Sequence, residues 1–276
     1  MKLAISTLGC PEWNFMKILT EFSICGVKGL EVRGLDGEME ADKISWFMPE
    51  NMAETQKLMK RFGLEWVGFG TSANFHDEKS CANNIATAKR AIDVCQRMGI
   101  PAIRVFGDQI KEPDQRDAII QRVIAALQEL SDYGAAKGVG VNLEIHGNFN
   151  SVEVIEPIVK ALKNNKAFGI LWDVQHSDKV CGDDFMPFYQ LIKPKLKHVH
   201  IKDHKRGEDG QFKLCMVGEG DIPLEKIIKQ LLDDKYKGFF SLEWEKKWHP
   251  DLAEPDVVFP AFVSFMKRLQ AKKTGR

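Results

Sequence analysis

Residues 169–177 read GILWDVQHS. The run is apolar without alternation, as in a strand covered on both faces, and strands of that kind belong to parallel sheets flanked by helices. It ends in Asp173, with His176 three residues on. A charged group at a buried strand end costs several kcal/mol unless a partner meets it, so the rest of the chain has to supply that partner.

Seven further segments share the β-branched, apolar character: KLAIST (2–7), VKGLEVRG (27–34), LEWVGFG (64–70), PAIRVFG (101–107), VGVNLEIHG (139–147), LKHVHIKD (196–203) and GFFSLEWE (238–245). Most are followed by a loop and then by a stretch of helical period. Residues 79–99 and 113–138 repeat apolar side chains at three and four and end on glycine, a frequent helix C-cap. The helix expected at 151–164 starts on Ser151 as N-cap, and the one at 221–234 starts on Asp221 with Pro223 in its first turn. Eight βα units with no linker or composition shift predict an α/β protein, a single (β/α)8 TIM barrel spanning 1–276. An open doubly wound sheet is the alternative, but the G-x-G-x-x-G phosphate fingerprint is missing after the first strand.

In a barrel the chemistry sits where strands end and βα loops begin. The last four strands each carry a polar residue there: Glu144, Asp173, His200 and Glu243. Three carboxylates in one cavity repel by about 4 kcal/mol per close pair at an effective dielectric of about 20. One divalent metal ion relieves that repulsion, and a set of three carboxylates and one imidazole with positions left open suits Mn, Mg, Co or, less selectively, Zn. Asp173 is then paired with a metal. His176 lies near the open face, within reach of a substrate oxygen, and Lys202 shares the His200 face, where it can meet an anionic or hydroxyl group or simply be solvated. His198, deeper than His200, reads as a buried, satisfied histidine. His146 and Glu245 are in register with the ligands and suit a supporting role, His76 suits loop surface and a substrate contact equally, and Glu31 and Arg33 pair with each other. Trp13, Trp66, Phe106, Trp172 and Trp244 are candidate walls of a sugar pocket, although an aromatic at such spacing is more often core.

Lys plus Arg and Asp plus Glu number 39 each, so no global field holds a polyanion, and nucleic acid is not expected as a partner. Six cysteines lack a C-x-x-C pair or dense spacing, which fits a reducing, cytoplasmic setting. The opening MKLAISTLGC has too short an apolar stretch for a signal peptide and reads as the first strand. No segment approaches the ~18 apolar residues of a membrane span, so no membrane partner is expected.

GLEVRG (29–34), NLEIHG (142–147), LWDVQHS (171–177), HVHIKD (198–203), VGEGDIP (217–223) and SLEWE (241–245), in this order, resemble the xylose isomerase-like superfamily of sugar phosphate isomerases and epimerases over essentially the whole chain. The resemblance implies one divalent metal held by Glu144, Asp173, His200 and Glu243. It also implies Glu144 and Glu243 as the acid/base pair on opposite faces of a small sugar, keto-sugar or polyol, with His176 and Arg206 on substrate oxygens. Proton transfer through a metal-stabilised enediolate then gives isomerisation or epimerisation, and loss of a β-hydroxyl gives an inosose-type dehydration. A homodimer is compatible with the group.

The chain departs from the pattern at two places. Where ketose 3-epimerases carry a further glutamate, this segment reads GNFN, with Asn148 and Asn150. Strand four ends RVFGD without the histidine that apurinic/apyrimidinic endonucleases use for their three zinc ions, so a metal phosphodiesterase is disfavoured. A non-catalytic, sugar-binding barrel is the remaining alternative, and the intact candidate ligands argue against it.

Overall fold

The strand expected around GILWDV is β6 (Phe168–Asp173), buried at every position, and it runs parallel to β5 (Gly140–Glu144) on one side and β7 (Leu196–Ile201) on the other. In this computed structural model, which describes residues 1–274, the pairing continues until the sheet closes. The last two positions of the single domain expected over 1–276 lie outside the described residues. Strands β1 (Lys2–Ser6), β2 (Gly29–Val32), β3 (Glu65–Asn74), β4 (Ala102–Phe106) and β10 (Phe239–Leu242) complete a closed eight-stranded parallel barrel in the order β1-β10-β7-β6-β5-β4-β3-β2. A parallel strand needs a crossover to its neighbour, and the helical segments provide it.

Around the barrel lie α1 (Phe15–Cys25), α2 (Met52–Phe62), α3 (Glu78–Met98), α4 (Arg116–Ala135), α5 (Val152–Ala161), α6 (Val174–Cys181), α7 (Met186–Ile192), α8 (Leu224–Asp233) and α9 (Pro255–Thr274). Helices α1, α2 and α3 each stop on a left-handed glycine, Gly26, Gly63 and Gly99, where a residue without Cβ takes positive φ at no steric cost. The helix read over 113–138 begins with a 3-10 turn at Pro113–Gln115 and ends at Ala135. Asp221 does not open α8, whose N-cap is Pro223. Its carboxylate accepts instead from the Arg206 backbone N–H at 2.7 Å.

One element was not legible in the sequence: β8 (Asp203–Arg206) and β9 (Phe212–Cys215) form an antiparallel hairpin outside the barrel. It springs from the end of β7 and is anchored by Asp203. That carboxylate accepts from the backbone N–H groups of Gly218, Gly220 and Ile222 at 2.8, 3.0 and 3.4 Å. A Cβ on Gly220 would stand 2.1 Å from Asp203 Oδ1, so the VGEGDIP stretch is a glycine-dependent wrap around one buried carboxylate. No helix among the described residues is long and apolar enough to cross a membrane, and all six cysteines are free.

Candidate metal centre

Register decides which side chains meet. Asp173 on β6 is the partner of His200 on β7, and His200 is the partner of Ser241 on β10. Alternation along β7 sends His198 and His200 into the barrel and Val199 and Ile201 toward the helices. Glu144 ends β5 and Glu243 follows β10, so both carboxylates reach the same level. The four residues are buried, and one ligand atom from each lies within 4.8 Å of the others. His200 Nδ1 faces Glu243 Oε2 at 3.2 Å and Glu144 Oε1 at 3.5 Å.

Asp173 divides its two oxygens between two tasks. Oδ1 caps α6, accepting from the N–H groups of Gln175 at 2.8 Å and His176 at 3.3 Å, because Asp is among the best N-cap residues and its charge suits a helix N-terminus. Oδ2 turns into the cluster, where Lys202 Nζ lies 2.8 Å away. That lysine, 2% exposed, also stands 2.5 Å from Glu243 Oε2 and 2.5 Å from Glu245 Oε1. It is therefore a buried counter-charge; the solvated alternative does not hold.

The donor set fits a divalent ion on two observations. His200 Nδ1 is buried without a hydrogen-bond partner, an expensive condition for a polar atom, and beside it Glu144 Oε2 and Asp173 Oδ2 are met only by the cations Arg104 and Lys202. The charges also do not balance. The carboxylates of Glu31, Glu144, Asp173, Glu243 and Glu245 face Arg33, Arg104 and Lys202, and Glu243 and Glu31 raise the His200 imidazole well above its ordinary value against burial; once His200 gives up that proton to serve as a ligand, the set has an excess of two negative charges. One divalent cation cancels it.

The carboxyls respond unequally to this crowding. Burial raises Asp173, and Glu144 and Glu243 add to the rise against the pull of Lys202. Burial also opposes ionisation of Glu243, but His200 and Lys202 outweigh it and hold the group well below the usual carboxylate range. Glu144 is depressed in the same way, with Arg104 overcoming burial; the Arg104 Nε stands 3.0 Å from its Oε2. For His176, burial first and then Lys202 and His146 push the imidazole well below its ordinary value, so it is neutral near pH 7.

At the mouth, the His146 and His176 rings lie 4.2 Å apart, and Phe106 packs on His146 at 4.7 Å. His146 Nδ1 stands 3.3 Å from Asp108, which His76 approaches at 3.8 Å; His76 thus joins the rim and is not free loop surface. His146, Gln175, His176, Lys179 and Glu245 border a cavity of about 590 Å³, which Phe212 and Lys213 of the hairpin also line. Arg206 lies outside the cluster: its Nη2 donates to Asp178 Oδ2 of α6 at 2.7 Å, and its side chain is 44% exposed. The two amides of GNFN serve the backbone, Asn148 Oδ1 accepting from Ile110 N at 2.9 Å and Asn150 Nδ2 donating to His176 O at 3.1 Å.

Among the aromatic candidates only Phe106 reaches the mouth. Trp172 is fully buried against Tyr189, and Trp13, Trp66 and Trp244 pack within or against the core. Glu31 and Arg33 do not pair with each other. Glu31 Oε1 meets His200 Nε2 and its Oε2 meets His198 Nε2, both at 2.8 Å, whereas Arg33 Nη2 donates to Ser72 Oγ at 2.7 Å. Sequence reasoning missed Arg104 entirely, although its place two residues before Phe106 in a strand of known sense marks it as inward-facing.

Comparisons with known proteins agree with this architecture. The chain is 22% identical over 262 residues to fructoselysine 3-epimerase of Shigella flexneri, covering 88% of this chain and 90% of that protein. It is 28% identical over 145 residues to an inosose dehydratase of Clostridium perfringens, covering 46% of this chain and 48% of that protein. The IOLI protein, solved with a bound zinc atom, superposes with a TM-score of 0.80 at 19% identity, covering 99% of each chain. The family described as xylose isomerase-like TIM barrel matches residues 17–267. With a closed eight-stranded parallel barrel behind that match, the chain belongs to the xylose isomerase-like TIM barrel family.

Proposed function

We infer that the protein is a divalent-metal-dependent isomerase or epimerase of a small keto-sugar or related polyol. The observation that carries the reading is the buried quartet itself: Glu144 and Glu243 flank Asp173 and His200 along the barrel wall, with their ligand atoms converging, and the neighbouring His176 and Glu245 line a cavity of sugar-admitting size. A divalent ion held by these four residues supplies Lewis acidity to a chelating hydroxy-ketone, making the carbon-bound proton beside the carbonyl removable.

The proton carriers are the two glutamates. Both are held in the ionised form, Glu144 by Arg104 and Glu243 by His200 and Lys202, against the cost of burial, and an ionised carboxylate at hydrogen-bond reach is a competent base. One takes the proton; the first returns it, or the other does once it has taken up a proton from water in the cavity. Return to the same carbon from the opposite face epimerises; return to the neighbouring carbon isomerises. His176, neutral at the rim, can donate to or accept from a substrate hydroxyl. Lys202 keeps the ionised carboxylates together, and it is the group through which an anionic intermediate would feel a fixed positive charge. Arg206 would approach substrate through movement of the hairpin that carries it.

A dehydration at the same site is the second reading. The segment where 3-epimerases carry an additional glutamate holds Asn148 and Asn150 instead, and the Asn150 amide is spent on the His176 carbonyl. Elimination of a β-hydroxyl after the same proton removal needs a base facing carbon and an acid facing the departing oxygen; the glutamate that has taken the carbon-bound proton can pass it to that oxygen, which leaves as water. Both readings are tested by incubating the Mn²⁺-loaded protein with keto-sugars and inososes in deuterated water. Carbon-bound deuterium in recovered sugar supports the proton-transfer reading, a new conjugated carbonyl absorbance indicates dehydration, and neither product from any compound counts against both.

A further inference from the structure

We propose that Glu31 is a positioning residue that fixes the tautomer and ring orientation of His200, so that Nδ1 presents its lone pair to the metal centre. The proposal rests on the metal reading above and extends it to a residue from the opposite side of the barrel.

The argument is one of donor counting. Glu31 is 4% exposed and reaches across from β2. Its two oxygens meet three groups: His200 Nε2 at 2.8 Å, His198 Nε2 at 2.8 Å and Ser241 Oγ at 2.6 Å. An ionised carboxylate only accepts, so each of the three must donate, and both histidines must carry their proton on Nε2. With Nε2–H committed to Glu31, Nδ1 is the ring atom left to face Glu243 and Glu144, and it has no hydrogen-bond partner of its own. In the other tautomer, Nδ1–H would point at the place a cation needs, and Nε2 would set a lone pair against an anion. His198 and Ser241 pin the second oxygen and stop the carboxylate from rotating. Histidines that bind metals generally donate their other N–H to such a partner, and its loss typically costs about 10–100-fold in metal affinity.

Two measurements test this. In metal-free wild-type protein, ¹⁵N correlation spectra of the histidine rings at neutral pH should show a proton on His200 Nε2; a bare Nε2 would overturn the proposal. In parallel, calorimetric Mn²⁺ titration of Glu31→Gln, shown folded by circular dichroism, should give about 10–100-fold weaker binding than wild type, with one site retained. Affinity equal to wild type in the folded variant would overturn it. Absence of Mn²⁺ binding by the wild type would remove the metal reading instead, and the ring spectrum would still decide the tautomer.

Discussion

Lys202 Nζ lies 2.8 Å from Asp173 Oδ2 in the interior of the barrel. An ammonium 2% exposed is held by this and by Glu243 and Glu245, and among the described residues it is the one lysine that pairs with the quartet. Its charge lets three carboxylates share a site before any metal arrives. Lys202→Met should therefore destabilise the metal-free protein by about 3–5 kcal/mol, the usual cost of stranding one side of a buried ion pair. Divalent metal should restore more stability to the variant than it adds to the wild type. Thermal unfolding with and without Mn²⁺ reads both effects; equal shifts in the two proteins would contradict the role assigned to the lysine.

Glu243→Gln keeps the shape of the side chain and removes its capacity to carry a proton. Turnover should fall by about 10²–10⁴-fold, the range of general acid–base catalysis, while the melting temperature changes little because an amide can still accept from Lys202. Wild-type turnover by this variant would refute the assignment of Glu243 as a proton carrier.

Gly147 has φ +56°, and a Cβ there would stand 2.2 Å from the Asp108 carbonyl oxygen. That carbonyl accepts from Asn148 N at 2.8 Å, which ties the loop after β4 to the loop after β5. Gly147→Ala should cost about 1–3 kcal/mol in strain and displace the adjacent His146 from its packing on His176. KM should rise more than kcat falls, since the rim moves and the quartet does not. Steady-state kinetics separate the two.

Acid sensitivity has a source far from the site. Asp234 accepts from Tyr189 Oη at 2.7 Å and Gln230 Nε2 at 2.9 Å, and it pairs with Lys193 Nζ at 2.8 Å. Lys193, then Gln230 and Tyr189, hold its carboxyl well below the usual range. A depressed folded value contributes stability above the unfolded pKa, about 3.9, and that contribution is lost as pH falls toward the folded value. The melting temperature of Asp234→Asn should lie below wild type by a constant amount from neutral pH down to about pH 5, and the gap should close below about pH 4. A gap that is independent of pH throughout would show that the charge on Asp234 is not what stabilises.

The barrel was legible because its signals are local. An apolar run such as GILWDV and a glycine such as Gly99 after a helical period each announce their element without help from distant residues. The quartet was legible for a related reason, since each member ends a strand and all strands of a parallel barrel end on one side. Glu31 was misread because its partners are set by closure: local spacing offers Arg33, whereas the closed barrel brings β2, β7 and β10 around one carboxylate. Lys202 stays open in the sequence between a substrate contact and a solvated side chain, because nothing near it signals burial among carboxylates. The hairpin β8–β9 was hidden because DHKR and FKLC lack the apolar density of barrel strands, and its anchor, Asp203, is met by backbone N–H groups that leave no pattern in side chains.

The central claim is that Glu144, Asp173, His200 and Glu243 form one divalent-metal site. Elemental mass spectrometry of the purified protein, after exposure to Mn²⁺ or Zn²⁺ and removal of loosely bound ions, tests it most directly, with Asp173→Asn as the companion because an asparagine oxygen can still cap α6 while the ligand charge is gone. About one ion per chain in the wild type, largely lost in the variant, is the expected result. No retained metal, or a full complement in Asp173→Asn, would contradict the account and make the four residues a buried polar cluster held together by Lys202 and Arg104.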